Sequence, residues 1–168
     1  MQFYSGIALG LIMSRLYQEQ YSEIAGNEGY LLVSKTLNAL EQAVFNQEFE
    51  NTEGAIVGFG IALSASFGDS RKDSRVHAEL AHQKLFKMCK NIEENESSGL
   101  MAQVMYFSVA VATCGGFATE CLNAAQTTEC VQLLVDRLSS CPHVSDIMIR
   151  KVHMVTSLCL VRYNFSVL

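Results

Sequence analysis

The chain has 168 residues, of which 49% are hydrophobic and 17% charged, with a formal net charge of −5. That composition excludes a disordered chain and supports one domain with a real core, while the acidic balance opposes a nucleic-acid surface, which needs clustered Lys and Arg. The single proline, Pro142, leaves almost no barrier to helix continuation, so the expected class is all-α rather than a turn-rich all-β fold.

In chain order, the first element is the apolar run "SGIALGLIMS", Ser5 to Ser14. No basic stretch precedes it, and Arg15 follows in place of a small-residue cleavage site, so it reads as mature chain rather than a signal peptide. Next, "EGYLLVSKTLNALEQAVF" sets Val33, Leu37, Leu40 and Val44 at helical spacing, one apolar face of a 3.6-residue helix. The polar "FNQEFENTE" then leads into "GAIVGFGIALS", Gly54 to Ser64.

The stretch "GDSRKDS" holds the only basic knot, Arg71, Lys72 and Arg75, flanked by Asp69 and Asp73. Mixed charge of this kind reads as a solvated loop, and Ser74 is the N-cap expected for a helix beginning at Arg75. That helix carries Ala78, Ala81, Leu85, Met88 and Ile92 on one face. After "EENESS" comes "SGLMAQVMYFSVAVATC", Ser98 to Cys114. Its apolar segment, Leu100 to Gly116, includes Gln103, Ser108 and Thr113 and falls short of the roughly 20 residues that cross a bilayer, so a buried core helix is expected and no transmembrane segment. "TTECVQLLVDRL" contributes Val131, Leu134, Val135 and Leu138, with Thr127 or Thr128 as its N-cap. A fourth apolar helix, "DIMIRKVHMVTSLCLV", runs from Asp146 to Val161.

These elements repeat. Gly6 and Gly10 match Gly54 and Gly58 at an offset of 48, and a third copy, 45 residues after the second, keeps the leading Gly99 but has Gln103 where the second glycine stood. Each unit is a nearly all-apolar helix followed by an amphipathic one, giving about three and a half helical-hairpin repeats at approximately 1–50, 51–95, 96–142 and 143–168. A helix apolar on all sides must be covered on all sides. The expected architecture is therefore a HEAT/armadillo-like α-solenoid, with the apolar helices between layers and the amphipathic ones in an outer row. Glycine costs a helix about 1 kcal/mol, and close approach of a neighbouring backbone compensates. Gly6, Gly10, Gly54, Gly58, Gly60 and Gly99 are accordingly expected to be helix-packing glycines.

The same G-x-x-x-G-x-G at Gly54, Gly58 and Gly60 resembles the phosphate-cradling turn of the short-chain dehydrogenases, which would make the chain a nicotinamide-dependent oxidoreductase. That turn needs a buried strand just before it, and "NQEFENTE" cannot be one. The family's Tyr-x-x-x-Lys pair is also absent, since none of the six tyrosines has a lysine four residues later. No cofactor is expected.

Metal and nucleophile chemistry fare no better. His77 and His82 are five apart with Glu79 between them, and His153 and Cys159 are six apart, spacings that do not meet on one helical face. Every histidine, His143 beside Pro142 included, is expected at the surface or its boundary. Cys89, Cys114, Cys121, Cys130, Cys141 and Cys159 show no C-x-x-C spacing and read as buried thiols of a reducing compartment. The acidic groups Glu48, Glu50 and Glu53, and Glu93, Glu94 and Glu96, read as solvated loop ends. Two Asn-x-Ser patterns, at Asn95 and Asn164, and a Ser-Val-Leu terminus of PDZ-ligand form, Ser166 to Leu168, are each only three residues long and carry little weight. No catalytic, cofactor-binding or metal-binding residue is expected, and the chain reads as a non-enzyme.

Taken together and in this order, "SGIALGLIMSRL", "LLVSKTLNALEQAVF", "TEGAIVGFGIALS", "SRVHAELAHQKL" and "TECVQLLVDRL" resemble a stretch from the later part of the focadhesins, very large animal proteins of helical repeats. The resemblance runs from Ser5 to Leu138. The glycine-led helices are similar, more distantly, to the proteasome/cyclosome repeats. The resemblance implies a non-enzymatic cytoplasmic scaffold that mediates protein–protein interactions, with vinculin at focal adhesions and the subunits of the superkiller RNA-decay complex as partners and no direct contact to nucleic acid. It also implies a fragment of a longer solenoid, whose flanking repeats are partners too.

Overall fold

The computed structural model describes residues 2–20, 25–46, 52–92, 99–140, 150 and 156. Among the described residues there are six helices longer than two turns and no strand: α1 (Gln2–Gln18), α2 (Gly26–Phe45), α3 (Glu53–Ser66), α4 (Lys72–Lys90), α5 (Leu100–Ala118) and α6 (Ala124–Ser140). The fourth apolar helix expected over 146–161 lies outside the described residues apart from Arg150 and Thr156. So do Gly-free loop positions Glu48, Glu50, Glu93, Glu94 and Glu96, together with Cys141, His143, His153, Cys159, both Asn-x-Ser patterns and the final tripeptide.

Helices α1, α3 and α5 stack side by side in one row. Beside that row, α2 packs on α1 and α3, α4 on α3 and α5, and α6 on α5. The amino-acid pattern dictates these places. Helix α3 buries residues around its whole circumference, Ile56, Val57, Phe59, Ala62 and Leu63 among them, and α5 does the same with Val104, Met105, Tyr106, Val109 and Ala112. Helix α2 instead buries a single stripe, Gly29, Val33, Leu37, Leu40 and Val44, and keeps its other side in water. Each large aliphatic side chain so removed from water stabilises the fold by about 1.5–3 kcal/mol.

Helix α5, with 19 residues, has the length and apolarity to cross a bilayer, contrary to the expectation that it is too short. Here 61% of its apolar window is buried, beneath α3, α4 and α6, as in the core helix of a packed protein.

Three sequence expectations are corrected in detail. Helix α4 starts at Lys72, before the expected Arg75, because Asp69 rather than Ser74 organises the turn: its Oδ1 accepts the Arg71 amide at 3.1 Å and its carbonyl accepts Arg75 Nε at 2.5 Å. Asp69 is only 5% exposed, so this charged stretch is partly built into the fold and is not simply a solvated loop. Helix α6 starts at Ala124, and its cap is a reciprocal pair in which the Gln126 amide donates to Asn123 Oδ1 at 2.9 Å and the Asn123 amide to Gln126 Oε1 at 3.0 Å. This is a capping box; Thr127 falls inside the helix, buried, with its hydroxyl donating to the Asn123 carbonyl at 2.9 Å.

The third concerns the depth of two stripes, whose faces are the ones expected. On α4 the buried line is Ala78, Ala81, His82, Leu85 and Cys89, while Met88, and Ile92 just past the helix end, are half-buried against the core. On α6, Cys130, Leu134 and Leu138 are buried while Val135 is 40% exposed.

Candidate functional site

The row α1–α3–α5 is held by two backbone seams. At the first, a Cβ built on Gly10 would stand 2.7 Å from the Gly58 carbonyl carbon, and one on Gly6 2.5 Å from the Ala55 nitrogen. From the other side, a Cβ on Gly58 would stand 2.7 Å from the Gly6 carbonyl carbon, and one on Gly54 2.6 Å from that of Phe3. Four of the expected glycines thus lie in one contact between two helices running in the same direction, with main chain against main chain and no side chain available to yield.

The second seam is on the opposite side of α3. A Cβ on Gly60 would meet Ser108 Cα at 2.6 Å, and one on Gly115 would meet Ser64 Cα at 2.6 Å. Ser108 Oγ lies 2.8 Å from the Ile56 carbonyl oxygen of α3 and 2.8 Å from the Val104 carbonyl oxygen of its own helix, and its single proton is shared between the two. On a helix turning 100° per residue, positions 54 and 58 point on average about 140° away from 56, 60 and 64. Helix α3 therefore offers a small-residue face to each neighbour. Ser64, Ser108 and Gly115 escaped the sequence reading, although small residues at Gly60 and Ser64, four apart, were a signal. Gly99 stands apart, exposed, at the extended residue preceding α5.

This geometry leaves no phosphate turn at 54–60. All three glycines are inside a helix, and the space beside Gly54 and Gly58 is filled by the backbone of α1.

Two polar clusters join the remaining helices. His82 is 2% exposed, which corrects its expected place at the surface. Its Nε2 lies 2.9 Å from Thr113 Oγ1, and its ring stacks on Phe86 with centroids 6.5 Å apart and meets Phe67 edge-on at 6.2 Å. Burial lowers its pKa to about 4, so the imidazole is neutral at pH 7. Burial also pushes the Cys89 thiol up to about 12 and the Cys130 thiol up to about 11, the latter against a lowering hydrogen bond from Thr113. These protonated thiols are poor nucleophiles. Cys114 and Cys121 are only half-buried, unlike the uniformly buried thiols expected.

Between α2 and α4, Glu41 bridges two partners, His77 Nε2 at 2.7 Å and Lys84 Nζ at 2.8 Å. Burial acts to raise the carboxyl's pKa, but the hydrogen bonds and charges of Lys84 and His77 outweigh it and hold the group below its ordinary value. Lys90 and Glu129 pair between α4 and α6. Among the described residues no group of three or more His, Cys, Asp or Glu is placed to hold a metal ion.

Comparison with known proteins adds the family relation. No family model matches the chain, and no solved structure does. Its sequence is 32% identical over 138 residues to mouse focadhesin, 31% over 134 residues to human focadhesin and 30% over 135 residues to zebrafish focadhesin. In each case the alignment covers about four-fifths of this chain. The chain spans only 7–8% of the length of these curated relatives, and what it is similar to is one stretch of focadhesin.

Proposed function

We propose that the chain is a non-enzymatic scaffold segment, a piece of a longer α-solenoid of the HEAT/armadillo kind with repeats near 1–50, 51–95, 96–142 and 143–168, whose work is to hold protein partners. The observation that carries this reading is the contrast between α3 and α1. Helix α3 is covered by sister helices on both faces, whereas α1 is covered on one and leaves Tyr4 75%, Leu11 56% and Ile12 57% exposed on the other. Ala8 and Ile12 correspond, 48 positions on, to Ile56 and Gly60, the face that α3 turns to α5. An apolar helix face of this kind, continuous with an existing row, suits one more helix of the same stack.

The resemblance to focadhesin supplies the partners in this proposal: flanking repeats of the same long chain, vinculin at focal adhesions and the subunits of the superkiller RNA-decay complex, all in the cytoplasm, with no direct hold on nucleic acid. A net charge of −5 fits the last point.

Sedimentation of the 168-residue chain tests the reading. Self-association that rises with concentration and disappears on Leu11→Glu with Ile12→Glu is the expected result. A wild-type chain that stays monomeric and captures none of the named partners overturns it.

A further inference from the structure

The uncovered side of α1 has an internal symmetry of its own. On a helix turning 100° per residue, Tyr4, Ala8, Leu11 and Arg15 fall within about 60° of one another, and all four are exposed. Their spacing of four, three and four is that of a seam packed by side chains against one partner helix. The equivalent side of α3 is built differently. There Gly60 and Ser64 let α5 come to main-chain contact, whereas α1 carries Ile12 and Leu16 at the matching positions, 48 residues earlier. A helix laid on α1 is therefore held off at side-chain distance, about 8–10 Å between axes.

Along this stripe, large and small residues and ring and cation are placed symmetrically about the point midway between residues 9 and 10. Tyr4 and Arg15 are equally far from it, and so are Ala8 and Leu11. A second α1 laid antiparallel, across a twofold axis at that point, sets Leu11 of each copy on Ala8 of the other and Arg15 on Tyr4. A parallel pair instead sets Ala8 on Ala8, leaving a gap, and Arg15 on Arg15, like charge on like. The remaining exposed polar groups on this side do not oppose the antiparallel match. Ser5 and Gln18 carry no charge, and Glu19 is already paired with Arg15 of its own helix. That pair occupies the guanidinium edge and leaves the flat face for a ring, as the Arg71 guanidinium stacks 3.7 Å from the Tyr30 ring centroid.

We propose that two copies of the chain join back to back through α1, antiparallel, with Leu11 of each seated on Ala8 of the other and Arg15 stacked on Tyr4. This pairing rests on the reading of α1 as a docking face and names what docks there. A contact three helical turns long falls at the small end of protein interfaces, below about 1,200 Å² in all. The dimer is accordingly weak and concentration-dependent.

Exchanging the small and large positions tests the pairing, read as the dimer dissociation constant by sedimentation equilibrium of the full chain. Ala8→Leu alone, which sets leucine on leucine, should weaken the dimer by about tenfold. Ala8→Leu combined with Leu11→Ala should return it to within about threefold of wild type, because leucine again meets alanine. Arg15→Gln should weaken it by about threefold, the scale of an exposed cation–ring contact. These side chains are exposed, so the variants should keep the wild-type urea midpoint. Losses that add in the double variant, as they would in a parallel pair or on another surface, overturn the antiparallel pairing, while wild-type self-association would still support the docking face. A wild-type chain that stays monomeric yet captures one of the named partners also overturns the pairing and leaves the scaffold reading standing. A monomer that captures none sinks both.

Discussion

Gly10 and Gly58 touch main chain to main chain: a Cβ on Gly10 would stand 2.7 Å from the Gly58 carbonyl carbon. Alanine is the better helix former by about 1 kcal/mol, so on propensity alone Gly58→Ala should stabilise α3. The contact reverses that sign, because the methyl meets the Gly6 carbonyl group and helix α1 must move away. Gly58→Ala is expected to cost about 1–3 kcal/mol, the usual range for overpacking, measured by urea unfolding. A variant more stable than wild type would show that the seam is loose.

At the second seam, space and hydrogen bonding separate. Ser108→Ala keeps the volume near Gly60 but loses the donation to the Ile56 carbonyl, at a cost of about 1 kcal/mol. Ser108→Val adds bulk as well and should cost more than Ser108→Ala. Equal losses in the two variants would assign the whole effect to the hydrogen bond.

Neutral, buried His82 makes the fold acid-sensitive in a defined window. Its folded pKa of about 4 lies below the ordinary 6.5, so the unfolded chain binds the proton first. Stability is full above pH 6.5 and is lost as pH falls from there towards 4, by at most about 1.4 kcal/mol per pH unit from this group. His82→Gln, which keeps a polar side chain beside Thr113 without titrating, should flatten the curve between those limits. A slope there identical to that of wild type would mean that His82 is protonated in the fold.

Burial with a raised pKa protects Cys89 and Cys130. At pH 8 both should resist a thiol-alkylating reagent in the native protein and react in denaturant, read by mass spectrometry of their peptides. Alkylation of either at the rate of an unfolded control would contradict the packing of α4 and α6 on α5.

The local pattern of residues determined which segments are helices and which kind each is. Apolar residues on every side of "AIVGFGIAL" demand a helix with neighbours all round, and Val33, Leu37, Leu40 and Val44 demand one with a single covered face. Glycine spacing likewise marked Gly6, Gly10, Gly54 and Gly58, because the cost of glycine in a helix calls for compensation wherever it occurs. What pairs with what was decided only in three dimensions. That Gly60 meets Ser108, that Gly115 meets Ser64 and that His82 reaches Thr113 depend on the register between helices some 30 to 50 residues apart, which no local period encodes. The starts of α4 and α6 moved for a related reason: Asp69 and the Asn123–Gln126 pair satisfied the free amides and turns ahead of the residues that spacing alone favoured.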